Sequence, residues 1–219
     1  TNWNEEYYEL KELLTDEEYK SARASTLTAF YTPPVVINAI YNTLKNMGVE
    51  QANILEPSCG IGNFLGMLPQ EMQSSKLYGV ELDTISGKIA KQLYQKANIK
   101  IQGYEKADFP DSFFDIAIGI VPFGDFKVND KRYDKNNFLI HDYFFAKTLD
   151  KVRPGGVIAF VTSKGTMDKA SPEVRRYLAQ RADLLGAIRL PDNTFTKNAG
   201  TKVTSDIIFL QKRENLTDI

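Results

Sequence analysis

Seven short apolar runs, separated by segments of helical character, constrain this chain more than any other feature. They are Ala52–Leu55, Lys76–Val80, Ile99–Ile101, Phe114–Ile118, Gly156–Val161, Leu184–Ile188 and Asp206–Leu210. Runs of this length, rich in β-branched residues, predict strands buried on both faces of a mostly parallel sheet. Helices must then cover both sides, which makes the fold class α/β with a seven-stranded, doubly wound sheet. Pro191 to Ser205 is rich in Asn, Thr and Gly and leaves no room for a long crossover helix. The last two strands are therefore expected to form an antiparallel hairpin at one edge.

Ahead of the sheet, Tyr7, Leu10, Leu13 and Leu14 recur at helical spacing and predict a short amphipathic helix over Asn4–Leu14. Thr15-Asp16-Glu17-Glu18 reads as a capping box that opens a second helix. Thr32-Pro33-Pro34 combines an N-cap residue with proline at the first helical position. Val36, Ile37, Ile40 and Leu44 follow as the apolar face, and Gly48 as the stop. The expected division is a helical extension over residues 1–26 and one domain over residues 27–219.

A chain of 219 residues with 42% hydrophobic content buries a core without covalent help. Cys59 is the only cysteine, so neither an intramolecular disulfide nor a cysteine-based zinc site is available, and a reducing, cytoplasmic setting is expected. No apolar run approaches the ~18 residues of a membrane span and no leader-like segment opens the chain, so neither membrane insertion nor export is expected. A net charge of −1 excludes a grip on nucleic acid by bulk electrostatics and leaves only local contacts. The chain starts at Thr1 rather than Met, and it is expected to be a piece of something longer.

The first strand runs into Glu56-Pro57-Ser58-Cys59-Gly60-Ile61-Gly62-Asn63-Phe64. Glycines in such a turn let the backbone approach a ligand, and the helix start that follows offers free N–H groups. The position is the carboxyl end of the first strand, where open α/β sheets bind ligands. A dinucleotide fingerprint requires a third glycine at position 65, which is leucine, and this counts against a nicotinamide cofactor. The second strand ends in Gly79-Val80-Glu81-Leu82-Asp83, placing Glu81 where a carboxylate takes a ribose diol. The alternatives at this point are a nucleoside cofactor and plain turn chemistry.

Together, Phe30-Tyr31-Thr32-Pro33-Pro34, the turn from Leu55 to Phe64, and Gly79-Val80-Glu81-Leu82-Asp83 resemble the N6-adenine DNA methyltransferases. The resemblance runs from about Leu27 to Arg213. It is strongest to the methylase segments of large helicase-methylase proteins of bacterial mobile elements, which also contain stretches like 187–191 and 199–206. It implies the class I methyltransferase fold, S-adenosylmethionine as cofactor, and DNA with an adenine flipped from the duplex as substrate. It also implies that Thr32 and the turn carrying Glu56, Pro57, Ser58, Gly60 and Gly62 hold the methionine part, with Tyr31 and Leu82 close by. Glu81 takes the ribose on this reading. Glu105 meets the adenine amine of the cofactor, with Asp108 as second candidate.

By the same resemblance, Ile120-Val121-Pro122-Phe123 stands where the family carries an Asn-Pro-Pro-Tyr type of tetrapeptide. The exocyclic amine of adenine is a poor nucleophile, because its lone pair is delocalised into the ring. Two acceptors help it rehybridise: the Asn side chain and the carbonyl of the next residue, here Val121. An aromatic ring, here Phe123, stacks on the flipped base, and Pro122 stiffens the loop. Ile120 accepts no hydrogen bond. Three readings stay open: a naturally inactive domain, a substitution peculiar to this chain, or compensation by an acceptor such as Asp125 or Asn129.

His141, the single histidine, reads as a capping or packing residue rather than a general base, and Cys59 as a packing residue. Lys127, Lys131, Arg132, Tyr133 and Lys135 form either a polar loop or a DNA-facing segment on which Tyr133 stacks a base. Lys164, Lys169, Arg175 and Arg176 are candidates for one positive rim. No metal-ligand cluster is visible. The competing functions are a catalytically inactive cofactor- or DNA-binding module of a larger protein, methyl transfer to RNA or protein glutamine, and a nicotinamide-dependent enzyme.

Overall fold

The computed structural model describes residues 3–25, 32–195 and 203–219. Its strands are β1 (Asn53–Glu56), β2 (Lys76–Glu81), β3 (Asn98–Ile101), β4 (Phe114–Ile120), β5 (Val152–Ser163), β6 (Ala182–Arg189) and β7 (Ser205–Lys212). All seven join one sheet in the order β3-β2-β1-β4-β5-β7-β6. The pairs among β1 to β5 are parallel, and β7 is antiparallel to both β5 and β6. The hairpin expected from the sequence is present, but β7 lies inside the sheet and β6 takes the edge. The side chains explain the order, since Ser205–Leu210 are buried whereas Asp183–Leu185 and Ala187–Arg189 are exposed.

The helices are α1 (Asn4–Leu13), α2 (Asp16–Ser25), α3 (Pro34–Asn46), α4 (Asn63–Gly66), α5 (Thr84–Leu93), α6 (Ile140–Lys151), α7 (Gly165–Asp168) and α8 (Glu173–Ala179). The central strands divide their side chains between two core layers at every second residue. In β5, Val157, Ala159 and Val161 pack with Ile37, Ile40 and Leu44 of α3, whereas Ile158 and Phe160 pack with Phe145 and Leu149 of α6. Burial on both faces is what the unbroken apolar runs require.

The predicted apolar face of α3 is buried in full, and Gly48 follows the helix with φ of 87°. Thr32 is not its N-cap, however. Pro33 holds that place in an extended conformation and no side chain caps the helix; Pro34 carries no N–H, so one fewer orphan donor needs a partner. The capping box at Thr15 is formed: its Oγ1 accepts from the Glu18 N–H at 3.2 Å, and Glu18 Oε2 accepts from the Thr15 N–H at 3.1 Å. Helix α1 forms as expected but buries none of its residues. Helix α2 is docked on α5 and the turn before it, with Ser21 Oγ donating to Asp83 Oδ1 at 2.7 Å and Lys88 paired with Glu18 at 2.6 Å.

Candidate cofactor and acceptor site

Strands β1 and β4 are neighbours whose onward connections lead to opposite sides of the sheet, so the chain diverges above them and leaves a crevice. A cavity of about 220 Å³ opens there. Its walls come from the turn after β1 (Glu56 to Ile61, Asn63, Phe64), the end of β2 (Glu81, Leu82), the segment after β3 (Gln102 to Glu105) and the loop after β4 (Ile120, Val121, Pro122). Thr32 also lines it. Five separate stretches with residues singled out in the sequence thus meet at one place.

The turn is shaped by backbone that only glycine adopts cheaply. Gly62 has φ of 90° and lies behind the cavity wall, where a Cβ would stand 2.3 Å from the ring of Tyr94. The turn is then pinned to β2, because the Gly60 N–H donates to Glu81 Oε2 at 2.7 Å. The other oxygen of Glu81 accepts from the Asp83 N–H, also at 2.7 Å. Glu56 is 2% exposed and its Oε2 has no hydrogen-bond partner among the described residues. Burial, reinforced by the charge of Glu81, pushes its carboxyl well above the usual carboxylate range. Burial also raises Glu81, against the pull of the backbone N–H groups of Asp83, Gly60 and Leu82.

Among the described residues three carboxylates line the cavity, Glu56, Glu81 and Glu105, and no Lys, Arg or His does. Such a wall is electrostatically incomplete and is complementary to a ligand that brings positive charge. It is poorly suited to a dinucleotide, whose pyrophosphate is anionic. Glu105 therefore stands at the cavity, whereas Asp108 is exposed and offers only its carbonyl, to Lys100. Cys59 is buried, with its thiol pushed upward by burial first and by the two nearby glutamates next, as befits a packing residue.

Ile120 ends β4 with its side chain toward the α3 core layer and the cavity. Its carbonyl accepts from Ser58 Oγ at 2.5 Å, and the next N–H, of Val121, donates to the Val161 carbonyl at 3.0 Å. Phe123 is packed against the α6 core layer and does not line the cavity. Asp125 and Asn129, the two side chains considered as substitute acceptors, are exposed and also lie off the cavity. Tyr31 and part of the 199–206 stretch lie outside the described residues.

Sequence reasoning missed the apolar wall opposite the turn, formed by Tyr104, Phe126, Val128, Ile140 and Phe144. The only signal was the i, i+4 pair Ile140 and Phe144 at the start of a helix that directly follows the acceptor loop. Tyr133 does not face DNA. It is 4% exposed and its hydroxyl donates to Asp150 at 2.6 Å, with Arg132 engaging Asp111 and Asp150 beside it. That stacking expectation fails because the Tyr133 ring packs into the core against Tyr143 of α6. Of the proposed positive rim, Lys169 is committed to Asp142 at 2.5 Å and Arg175 donates to the Lys169 carbonyl.

Comparison with known proteins settles the family. The family model for N-6 DNA methylases matches residues 8–218. The chain belongs to the N-6 DNA methylase family. Among its relatives is Defense against restriction protein B of Escherichia phage P1, 28% identical over 210 residues, which cover 93% of this chain but 9% of that protein. Modification methylase CviBIII of Paramecium bursaria Chlorella virus NC1A is 24% identical over 185 residues, 82% of this chain and 48% of that enzyme. The chain thus spans at most about half the length of these curated relatives. A Vibrio vulnificus protein assigned as the modification subunit of a type I restriction enzyme superposes with a TM-score of 0.68 at 20% identity, over 100% of this chain and 51% of that one. A Listeria monocytogenes protein assigned to the class I S-adenosylmethionine-dependent methyltransferases superposes with a TM-score of 0.69 at 18% identity, over 86% and 62%. The fold is that of the class I methyltransferases.

The cofactor of this family is S-adenosylmethionine, and the residues present fit it. Its sulfonium and ammonium groups would bring positive charge to a cavity lined by carboxylates, among them Glu56, whose buried Oε2 has no partner among the described residues. Among the described residues no three His, Cys, Asp or Glu gather as a metal site requires, and no helix is long and apolar enough to cross a membrane.

Proposed function

We propose that this chain is the methyl-transfer domain of a longer cytoplasmic protein and acts on the N6 amine of adenine in DNA, with the base flipped out of the duplex. The observation that carries the reading is that an acidic cavity suited to a cationic nucleoside cofactor is continuous with the loop Ile120-Val121-Pro122. The names of one relative, a modification methylase, and of one structural neighbour, a type I restriction enzyme's modification subunit, support DNA as the substrate. We read residues 1–26 as an extension and residues 27–219 as the domain itself.

Bound S-adenosylmethionine supplies a methyl group activated by its positive sulfur. On this reading Glu56, with Thr32 and the turn through Pro57, Ser58, Gly60 and Gly62, holds the methionine part. Glu81 accepts from the ribose hydroxyls beside Leu82, and Glu105 accepts from the cofactor's adenine amine. The Val121 carbonyl accepts one N–H of the target amine and so favours its pyramidal form, while Pro122 restricts the loop and Phe123 borders the base. Ile120 contributes no second acceptor, and neither Asp125 nor Asn129 stands in for it at the cavity.

That last observation favours a second reading, a cofactor-binding module with little or no turnover. Calorimetric titration with S-adenosylmethionine, followed by transfer of labelled methyl groups to DNA, decides between them. Binding with transfer supports the enzyme, and binding without transfer supports the module. Absence of binding at millimolar cofactor sinks both.

A further inference from the structure

The acceptor loop places an aromatic ring at the cavity, and it is not the ring that the family pattern points to. Phe123 is half-buried against the α6 core layer and lies off the cavity, whereas Phe126 lines it. Phe126 is 47% exposed and stands outside both core layers. Apart from Trp3, Tyr7 and Tyr8 near the amino terminus, it is the only exposed aromatic side chain among the described residues. Its place at a cavity sets it apart from an ordinary surface ring.

Two contacts hold it there. The Phe126 carbonyl accepts from the Ile140 N–H at 2.9 Å, which ties the loop to the first residue of α6. The ring lies against Gly124, where a Cβ would stand 2.7 Å from its Cδ1 and Cε1. The missing side chain at 124 makes the room that the ring occupies. In the apolar wall of the cavity, Tyr104, Ile140 and Phe144 are buried and Val128 is half-buried, so Phe126 forms the outer edge. Tyr104 adjoins Glu105, which the proposed function gives to the adenine of the cofactor. Phe126 follows Pro122 by four residues on the acceptor loop. The inner wall thus goes with the cofactor and the outer ring with the acceptor.

A base drawn out of its stack exposes two flat faces and gives up the contacts of its former neighbours. An aromatic side chain restores one face, whichever hydrogen-bonding edge the base carries. We propose that Phe126, rather than Phe123, supplies the ring on which the acceptor base stacks. This rests on the reading of the chain as a base methyltransferase. Phe126 holds the base by its face and offers its amine no hydrogen bond. It therefore contributes to binding and does not replace the acceptor that Ile120 lacks.

Because the ring is exposed, Phe126→Ala should fold with a thermal midpoint close to the original. In saturating S-adenosylmethionine it should bind single-stranded oligodeoxyadenosine about tenfold more weakly by fluorescence anisotropy, within the range for one base stacked on an aromatic side chain. Its affinity for an abasic strand of the same length should not change, since that strand keeps the phosphates and lacks the bases. Phe126→Trp should keep the original affinity. Trp3 is the only tryptophan of the chain, so in a Trp3→Phe background the emission of Phe126→Trp reports on position 126 alone. Oligodeoxyadenosine should quench that emission and the abasic strand should not. Unchanged affinity for oligodeoxyadenosine in Phe126→Ala, or an equal loss for the abasic strand, overturns the proposal while the DNA reading stands. A tenfold loss of S-adenosylmethionine affinity with strand binding intact overturns it as well, and places the ring in the cofactor wall. If the original chain binds no strand, the DNA reading fails, and the quenching titration with free adenosine in saturating S-adenosylmethionine decides the ring: quenching supports stacking and silence overturns it.

Discussion

The hydroxyl of Ser58 donates to the carbonyl of Ile120 at 2.5 Å, joining the cofactor turn after β1 to the acceptor loop after β4. The peptide between Ile120 and Val121 is held from its other side by the Val161 carbonyl. Two anchors on one peptide set the direction in which the Val121 carbonyl leaves the strand. Ser58→Ala should cost about 1 kcal/mol of stability in urea unfolding, the usual worth of one part-buried hydrogen bond. Ser58→Thr, which keeps the hydroxyl, should recover most of it, and an equal loss in both variants would remove the hydrogen bond as the cause.

Glu56 gives a pH dependence of definite sign. Its carboxyl is raised by burial, and then by Glu81, so the unfolded chain releases this proton at a lower pH than the folded chain does. Below the usual carboxylate range the group makes no difference. As pH rises from there toward the raised value, the free protein should lose stability, and Glu56→Gln should lose less. Cofactor binding favours the ionised form and should release a proton at pH values between the usual carboxylate range and the raised one, visible as a dependence of the calorimetric heat on buffer ionisation enthalpy. Glu56→Gln should weaken S-adenosylmethionine by at least about tenfold, the worth of a hydrogen bond to a charged group.

Ile120→Asn restores a side-chain acceptor at the end of β4. Methyl transfer to DNA should rise by roughly 10²–10³, the range for one oriented transition-state partner, with cofactor affinity little changed. A rise in affinity without a rise in rate would place residue 120 in cofactor binding instead.

Gly62 is held at φ of 90° against the ring of Tyr94. Gly62→Ala should cost about 1–3 kcal/mol for the left-handed backbone alone, read as a lower thermal midpoint. Adding Tyr94→Ala should return the part of the loss that comes from the ring and leave the backbone part.

The seven strands, the capping box at Thr15 and the buried face of α3 were legible because each depends on local periodicity and on residues a few positions apart. The turn at Gly60 and Gly62 was legible for the same reason, since backbone freedom is a property of the residue itself. The position of β7 was not, because strand order depends on which face of each strand finds a partner far along the chain. Thr32 showed the limit at short range: proline at 33 took the cap that a threonine usually claims.

Sequence alone thus determined an α/β sheet, a cofactor turn, Glu81 at the end of its strand, and the aliphatic residue at position 120. Each is a matter of residue type and spacing. Tertiary structure decided which of these meet. It brought Ser58 against Ile120, left Glu56 with an oxygen unmatched among the described residues in a cavity lined by acids, turned Tyr133 inward to Asp150, and buried His141 beside Asp142, which pairs with Lys169. Burial and electrostatic matching are properties of the assembled interior, because a group loses its water only when distant segments close over it.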